Sequence, residues 1–279
     1  MSFAETPTGR IYVESHGQGP PLIIVPSFGA TTRTYRGLLP NLTETHRVLL
    51  YDVRGMGRSD DLPQGSTIKA MADDVAAVLD HVGVQRASVL GGSMGAIIAR
   101  QFAVDHRDRL DRLVLITPPI WPSRYRACIN DMLRDLLAAC KPNRFMRYMV
   151  HLTLSPDFVN KHPNVVEQMI EGINVTPREA ETMARLLRGA VGFDGVPGMA
   201  EMDAPTLIIA GKLDIFTPPS QARRLHAELP NARLIVMDGV AHTPFIERSA
   251  ETFAAVRTFL TDASAVVQAR EPDTGETHP

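Results

Sequence analysis

Short, almost continuous apolar runs alternate along the chain with longer stretches whose apolar residues recur at helical spacing. Residues 22–25, 47–51, 88–90, 113–116, 206–210 and 233–237 read as buried strands, because a strand covered on both faces is apolar throughout. Residues 70–82, 96–104, 220–228 and 244–260 carry the period of amphipathic helices. Strand and helix in turn predict a mainly parallel sheet covered by helices, the α/β class. Residues 10–15 alternate with period two and run into a turn cluster at 16–21, which predicts an antiparallel hairpin with strand 22–25.

Between Pro118 and Val196 no strand pattern occurs. Residues 128–137, 143–152, 164–173 and 177–187 read as short helices punctuated by prolines. The expected organisation is a core of residues 1–117 and 197–262 split by a helical cap, 118–196. Residues 263–279 have little to bury and read as a disordered tail.

Length and charge narrow the function classes. A chain of 279 residues suffices for one large α/β domain with an insertion. Lys plus Arg number 29 against 31 Asp plus Glu, a net charge of −2, and no dense basic cluster offers a footprint for phosphate backbones. Nucleic acid is not an expected partner. No apolar run approaches the roughly 18 residues of a membrane span, and residues 1–9 lack the cationic and apolar pattern of a secretory signal. Cys128 and Cys140 are too few for a disulfide scaffold and lack the paired spacing of a zinc site. Reduced thiols and a cytoplasmic location are expected.

The chemistry-bearing pattern is Gly91-Gly92-Ser93-Met94-Gly95, a Gly-x-Ser-x-Gly match between a predicted strand and a predicted helix. Such a turn lifts a serine hydroxyl to the carboxyl edge of the sheet, and glycines let strand and helix approach closely. The bare pattern arises by chance, but its strand-to-helix setting raises its weight. A serine hydroxyl needs a base, and the base an orienting acid. Asp214 follows strand 206–210 and His242 follows strand 233–237, so three loops can converge where ligands collect in open α/β sheets. Asp52 also follows a strand but precedes Ser93; holding its own loop, with Arg54 or Arg58, is the expected job. The other eight histidines fall in turns, helices or the tail, where solvated or packing roles are the default. For the oxyanion of an acyl-transfer intermediate, the Met94 N–H is one donor and the Phe28 N–H, in Pro26-Ser27-Phe28-Gly29, is the nominated second.

Together with Tyr51-Asp52-Val53-Arg54-Gly55-Met56-Gly57-Arg58-Ser59-Asp60, Ile209-Ala210-Gly211-Lys212-Leu213-Asp214 and Gly239-Val240-Ala241-His242, these motifs stand in the order of the α/β-hydrolase superfamily, which the chain resembles over roughly residues 9–261. The resemblance implies a mostly parallel eight-stranded sheet flanked by helices, an inserted helical cap, Ser93 as nucleophile, His242 as base, Asp214 as orienting acid, and Phe28 with Met94 as oxyanion hole. Within the superfamily the chain is most similar to the 3-oxoadipate enol-lactonase type of lactone and ester hydrolases, although Pro26 and Ala96 depart from that pattern. Ser93 argues against the dehalogenases and epoxide hydrolases of this fold, which carry Asp at the turn. Perhydrolases, carbon–carbon bond hydrolases, acyltransferases and slow ligand-sensing relatives share the motifs and stay open.

A cap over the triad makes its apolar residues pocket candidates. Trp121, Phe145 and Met149 are nominated as substrate-binding, with Met132 and Leu152 beside them, against a plain packing role for each Met and Phe. Arg124, Arg126, Arg134, Arg144 and Arg147 are expected on solvated faces, and an anionic substrate group becomes possible if one faces inward. The expected substrate is a small to medium, largely apolar ester or lactone. No metal or organic cofactor is expected, since neither a zinc-protease motif nor a phosphate loop occurs.

Overall fold

The computed structural model describes residues 1–120, 123–189 and 198–262. Eight strands form one sheet: β1 (Ser2–Thr6), β2 (Gly9–His16), β3 (Pro21–Val25), β4 (Arg47–Tyr51), β5 (Ala87–Gly92), β6 (Leu110–Ile116), β7 (Thr206–Gly211) and β8 (Ala232–Met237). The spatial order is β1-β2-β4-β3-β5-β6-β7-β8, antiparallel from β1 to β4 and parallel from β4 to β8. The helices are α1 (Thr32–Arg36), α2 (Ile68–His81), α3 (Met94–Asp105), α4 (Arg124–Ala139), α5 (Pro142–Thr153), α6 (Pro156–Lys161), α7 (Pro163–Glu171), α8 (Pro177–Gly189), α9 (Pro219–Glu228), α10 (Pro244–Glu247) and α11 (Ser249–Thr261). None among the described residues is long and apolar enough to cross a membrane.

The inner strands β3 to β7 are largely apolar because each face of the sheet has its own core. Ile23, Val25, Leu49, Tyr51, Val89, Leu113 and Leu115 pack with Val75, Val78, Leu79, Ile98 and Phe102 of α2 and α3. Their sequence neighbours Leu22, Ile24, Val48, Leu50, Leu90, Val114 and Ile116 pack on the other face with Tyr35 of α1 and Phe253, Val256 and Phe259 of α11. This is the period-two alternation of a strand with both faces buried. The helices α4–α8 are inserted between β6 and β7, and their Leu133, Phe145, Met183, Leu186 and Leu187 extend the first of these cores.

Two sequence expectations need correction, and two elements went unread. Strand 10–15 does not form a hairpin with strand 22–25: β3 is flanked on both sides by parallel strands, β4 and β5, so β2 pairs with the outer edge of β4 instead. The antiparallel partner across a tight turn is β1, which the pattern hid because Ala4 is its one buried residue. The final helix is two helices, α10 and α11, broken at Arg248 (φ −135°, ψ 52°). The break lets the Glu247 carboxylate turn back to accept the backbone N–H groups of Ser155 (3.0 Å) and Ala241 (2.9 Å), tying the α5–α6 junction to the loop that carries His242. The sequence pattern also left α6 unread; it starts at Pro156, with the Ser155 hydroxyl accepting from the Phe158 N–H.

Candidate active site

Ser93 sits between the carboxyl end of β5 and the first residue of α3, with φ 51° and ψ −117°. A residue with a side chain at positive φ is strained, typically by about 1–3 kcal/mol, and the surrounding glycines show what holds it there. A Cβ on Gly91 would lie 2.4 Å from the Gly95 carbonyl oxygen, and one on Gly95 would lie 2.3 Å from the Val25 carbonyl oxygen. Strand, turn and helix pass so closely that two of the motif's glycines are steric requirements.

His242 leaves the loop after β8 and reaches Ser93: its Nε2 lies 2.9 Å from Ser93 Oγ, and its Nδ1 lies 2.7 Å from Asp214 Oδ2. With the Nδ1–H donating to the carboxylate, the Nε2 lone pair faces the serine hydroxyl, the arrangement a general base requires. Asp214 is 4% exposed. Its Oδ1 accepts the N–H groups of Phe216 (2.8 Å) and Thr217 (3.0 Å), and its Oδ2 accepts the Thr217 hydroxyl (2.6 Å) as well as His242. Burial pushes the Asp214 carboxyl upward, but the charge and hydrogen bond of His242, with the bonds from Thr217, outweigh it and leave the carboxyl below its ordinary value. Asp214 is therefore an anion at neutral pH.

The His242 backbone is fixed at both ends: its N–H donates to the Thr153 carbonyl of α5 (3.0 Å), and its carbonyl accepts the Thr117 hydroxyl at the end of β6 (3.2 Å). Sequence reasoning missed Thr217, Thr153, Thr117 and Glu247 as supports. Only the Asp214–Thr217 spacing carries a signal, that of an acidic side chain closing on the backbone two and three residues ahead.

The loop after β3 is pinned by a chain of hydroxyls. The Ser27 N–H donates to Tyr35 Oη (2.8 Å), the Tyr35 hydroxyl donates to Ser27 Oγ (3.0 Å), and the Ser27 hydroxyl donates to the Gly92 carbonyl (3.0 Å). This leaves the next N–H, that of Phe28, with no acceptor among the described residues. The Met94 N–H stands in the first turn of α3, where a helix leaves its N–H groups unpaired. Two free donors thus border Ser93.

Two cavities meet at Ser93 and His242. One, of about 180 Å³, is bordered by Tyr35, Met146, Met149 and Phe245; the other, of about 40 Å³, by Phe28, Met94, Met149, Arg126 and Asn130. Larger open grooves near Arg107 and near Arg185 border neither Ser93 nor His242. Of the nominated substrate-binding residues, Met149 borders both cavities. Phe145 is fully buried behind Phe28, edge to face at 6.2 Å between ring centroids, and lines neither. Trp121 lies outside the described residues. Met132 is exposed on the surface of α4. Arg126 departs from its expected solvated face: it is 7% exposed, because Arg126, Asn130 and Leu133 form the buried side of α4. Asp52 holds its loop, as expected, but through the backbone N–H groups of Arg58 (3.0 Å) and Thr32 (2.6 Å), while the Arg54 guanidinium pairs with Asp74. Among the described residues no His, Cys, Asp and Glu cluster could hold a metal ion.

Residues 20–249 match a family model described as the alpha/beta hydrolase fold. The chain belongs to this hydrolase family. A relative from Caulobacter sp. (strain K31), provisionally named carbamate hydrolase RutD, is 32% identical over 267 residues, covering 91% of this chain and 97% of its own. Among solved structures, a thermophilic esterase from Thermogutta terrifontis is 25% identical with a TM-score of 0.80, the match covering 95% of this chain and 97% of the esterase. The enol-lactonase from Burkholderia xenovorans LB400 shares the fold with a TM-score of 0.79 at 23% identity, over 94% of this chain and 100% of the lactonase.

Proposed function

We propose that the chain is a serine hydrolase that cleaves a carboxylic ester or lactone of a small to medium substrate through an acyl-enzyme. The observation that carries this reading is the continuous line from the Asp214 carboxylate through His242 to Ser93 Oγ, at 2.7 and 2.9 Å, with the serine on a strained turn. His242 takes the Ser93 proton as Oγ attacks the acyl carbon, and the imidazolium formed is stabilised by Asp214. The tetrahedral oxyanion is received by the N–H groups of Phe28 and Met94. His242 then returns the proton to the leaving alkoxide, which departs as the alcohol of an ester or stays on the acyl chain as the hydroxyl of an opened lactone, and activates the water that releases the acid and regenerates Ser93. No metal or organic cofactor takes part. In this reading residues 118–196 act as a cap over a core of residues 1–117 and 197–262, and the partner is a small molecule met in the cytoplasm.

The name of the Caulobacter relative favours a second reading, attack of the same serine on a carbamate carbonyl. Hydrolysis of matched γ-lactones, short alkyl esters and alkyl carbamates, followed by acid release, separates the two. Ester and lactone turnover at least tenfold above carbamate turnover, absent in Ser93→Ala, is the expected result; the reverse order selects the carbamate.

A further inference from the structure

The small chamber beside Ser93 holds two polar side chains with unmet hydrogen-bonding capacity. Asn130 is fully buried, and neither its Oδ1 nor its Nδ2 has a partner among the described residues. Arg126, one helical turn before it on α4, presents five N–H donors; its Nε is buried without a partner among the described residues, and one Nη reaches the Phe216 carbonyl at a long 3.5 Å. The acid whose charge pulls on Arg126 is Asp214, but all four acceptor positions of that carboxylate are taken by Phe216, Thr217 and His242. Burial draws the guanidinium down only to about 10, so it is a cation at neutral pH. A buried cation with one long contact and a buried amide with none among the described residues are costly unless something else meets them.

The chamber has the shape and chemistry for that something. Its volume of about 40 Å³ exceeds the roughly 10–15 Å³ that one water requires and suits a compact group of a few atoms. Phe28, Met94, Ile97, Leu133 and Phe216 close it with apolar walls, which strengthens a charged hydrogen bond formed inside. Residues four apart on a helix share a face, so the Arg126 fork and the Asn130 amide can donate to one planar acceptor.

We propose that Arg126 and Asn130 form an anion subsite that selects substrates carrying a carboxylate at the end opposite the scissile bond. This rests on the reading of Ser93 as the nucleophile and narrows its substrate from a largely apolar ester to an anionic one. The apolar cavity on the other side of Ser93 takes the uncharged part.

The test compares monomethyl glutarate with methyl pentanoate, which differ in a carboxylate against a methyl at the same chain end, in wild type, Arg126→Met and Asn130→Asp. Wild type is expected to favour the anionic ester in kcat/KM, and Arg126→Met to reduce that preference by on the order of tenfold to a hundredfold, the usual worth of a charged hydrogen bond. Asn130→Asp places a carboxylate beside Arg126 from within the protein; it is expected to raise Tm and abolish the preference without removing the cation. Calorimetry of the Ser93→Ala variant with monomethyl glutarate reads binding without turnover: binding by Ser93→Ala, lost in the Ser93→Ala/Arg126→Met double variant, supports the subsite. A wild-type preference for the neutral ester, or a preference unchanged in both variants, overturns it. If the anionic ester binds but is never hydrolysed, the nucleophile reading fails while the subsite stands. If Arg126→Met slows both esters equally, Arg126 acts on the triad electrostatically and the subsite is refuted.

Discussion

Replacing Ser93 by alanine is expected to lower kcat by about a millionfold, and replacing His242 by alanine alone to cost nearly as much. The reason is that the pair acts as a unit. Without the imidazole the hydroxyl keeps its proton, and without the hydroxyl the base has nothing to activate. The Ser93→Ala/His242→Ala double variant is therefore expected to be no slower than either single one, leaving the residual rate that Phe28, Met94 and substrate binding supply. Asp214→Asn is milder, at about 10⁴-fold, because an amide in place of the carboxylate turns the imidazole to the wrong tautomer. Steady-state kinetics on one ester with all four variants checks this; additive losses would contradict the coupling that the 2.9 Å contact implies. Asp214→Asn also removes an acid-sensitive contribution to stability. The depressed carboxyl of Asp214 stabilises the fold fully above its unfolded value of about 3.9, and that contribution is lost as pH falls through the lower folded value. Acid unfolding of Asp214→Asn is expected to be less steep in that window.

Gly95→Ala is the second large effect, and it acts through geometry. The added Cβ would lie 2.3 Å from the Val25 carbonyl oxygen and 2.8 Å from that of Pro26, both backbone atoms that cannot swing aside. Helix α3 must withdraw from β3, at a cost of about 3 kcal/mol in stability or more. The same movement separates the Met94 N–H from the Phe28 N–H, since one rides on α3 and the other on the loop after β3. A displacement of about 1 Å in such a constellation costs around a hundredfold in rate. Chemical denaturation and kcat measured on the same preparation check both parts. A variant of unchanged stability and unchanged kcat would show that the close approach at Gly95 holds nothing in place.

Much of this fold was legible because its inner strands are buried on both faces. Residues 47–51 stand out as an apolar block for that reason, and the loop after them carries Asp52; residues 233–237 form the edge strand, half-exposed from Leu234 to Val236, and are legible from their apolar run alone, which leads on to His242. Ser93 was legible because its glycines answer a local steric demand. What the pattern hid depends on distant parts of the chain. The partner of β2 is set by which strand edges remain free after β3 is enclosed, and β1 buries one residue in five. The support of His242 by Thr153 and Thr117 joins residues 89 and 125 positions from it, and Glu247 ties its loop to Ser155, 92 positions away. Arg126 was misread for the same reason: α4 is polar enough to look solvated, and its inward face is defined by the chamber beside Ser93.

The claim on which the rest depends is that His242 activates Ser93. Intact-mass measurement after treatment with a fluorophosphonate tests it most directly, because the probe phosphonylates an activated serine with loss of fluoride. One adduct per chain, mapped to the peptide containing Ser93, absent in Ser93→Ala and strongly slowed in His242→Ala, is the predicted result. Folded wild-type protein that stays unlabelled, or that is labelled elsewhere, would contradict it.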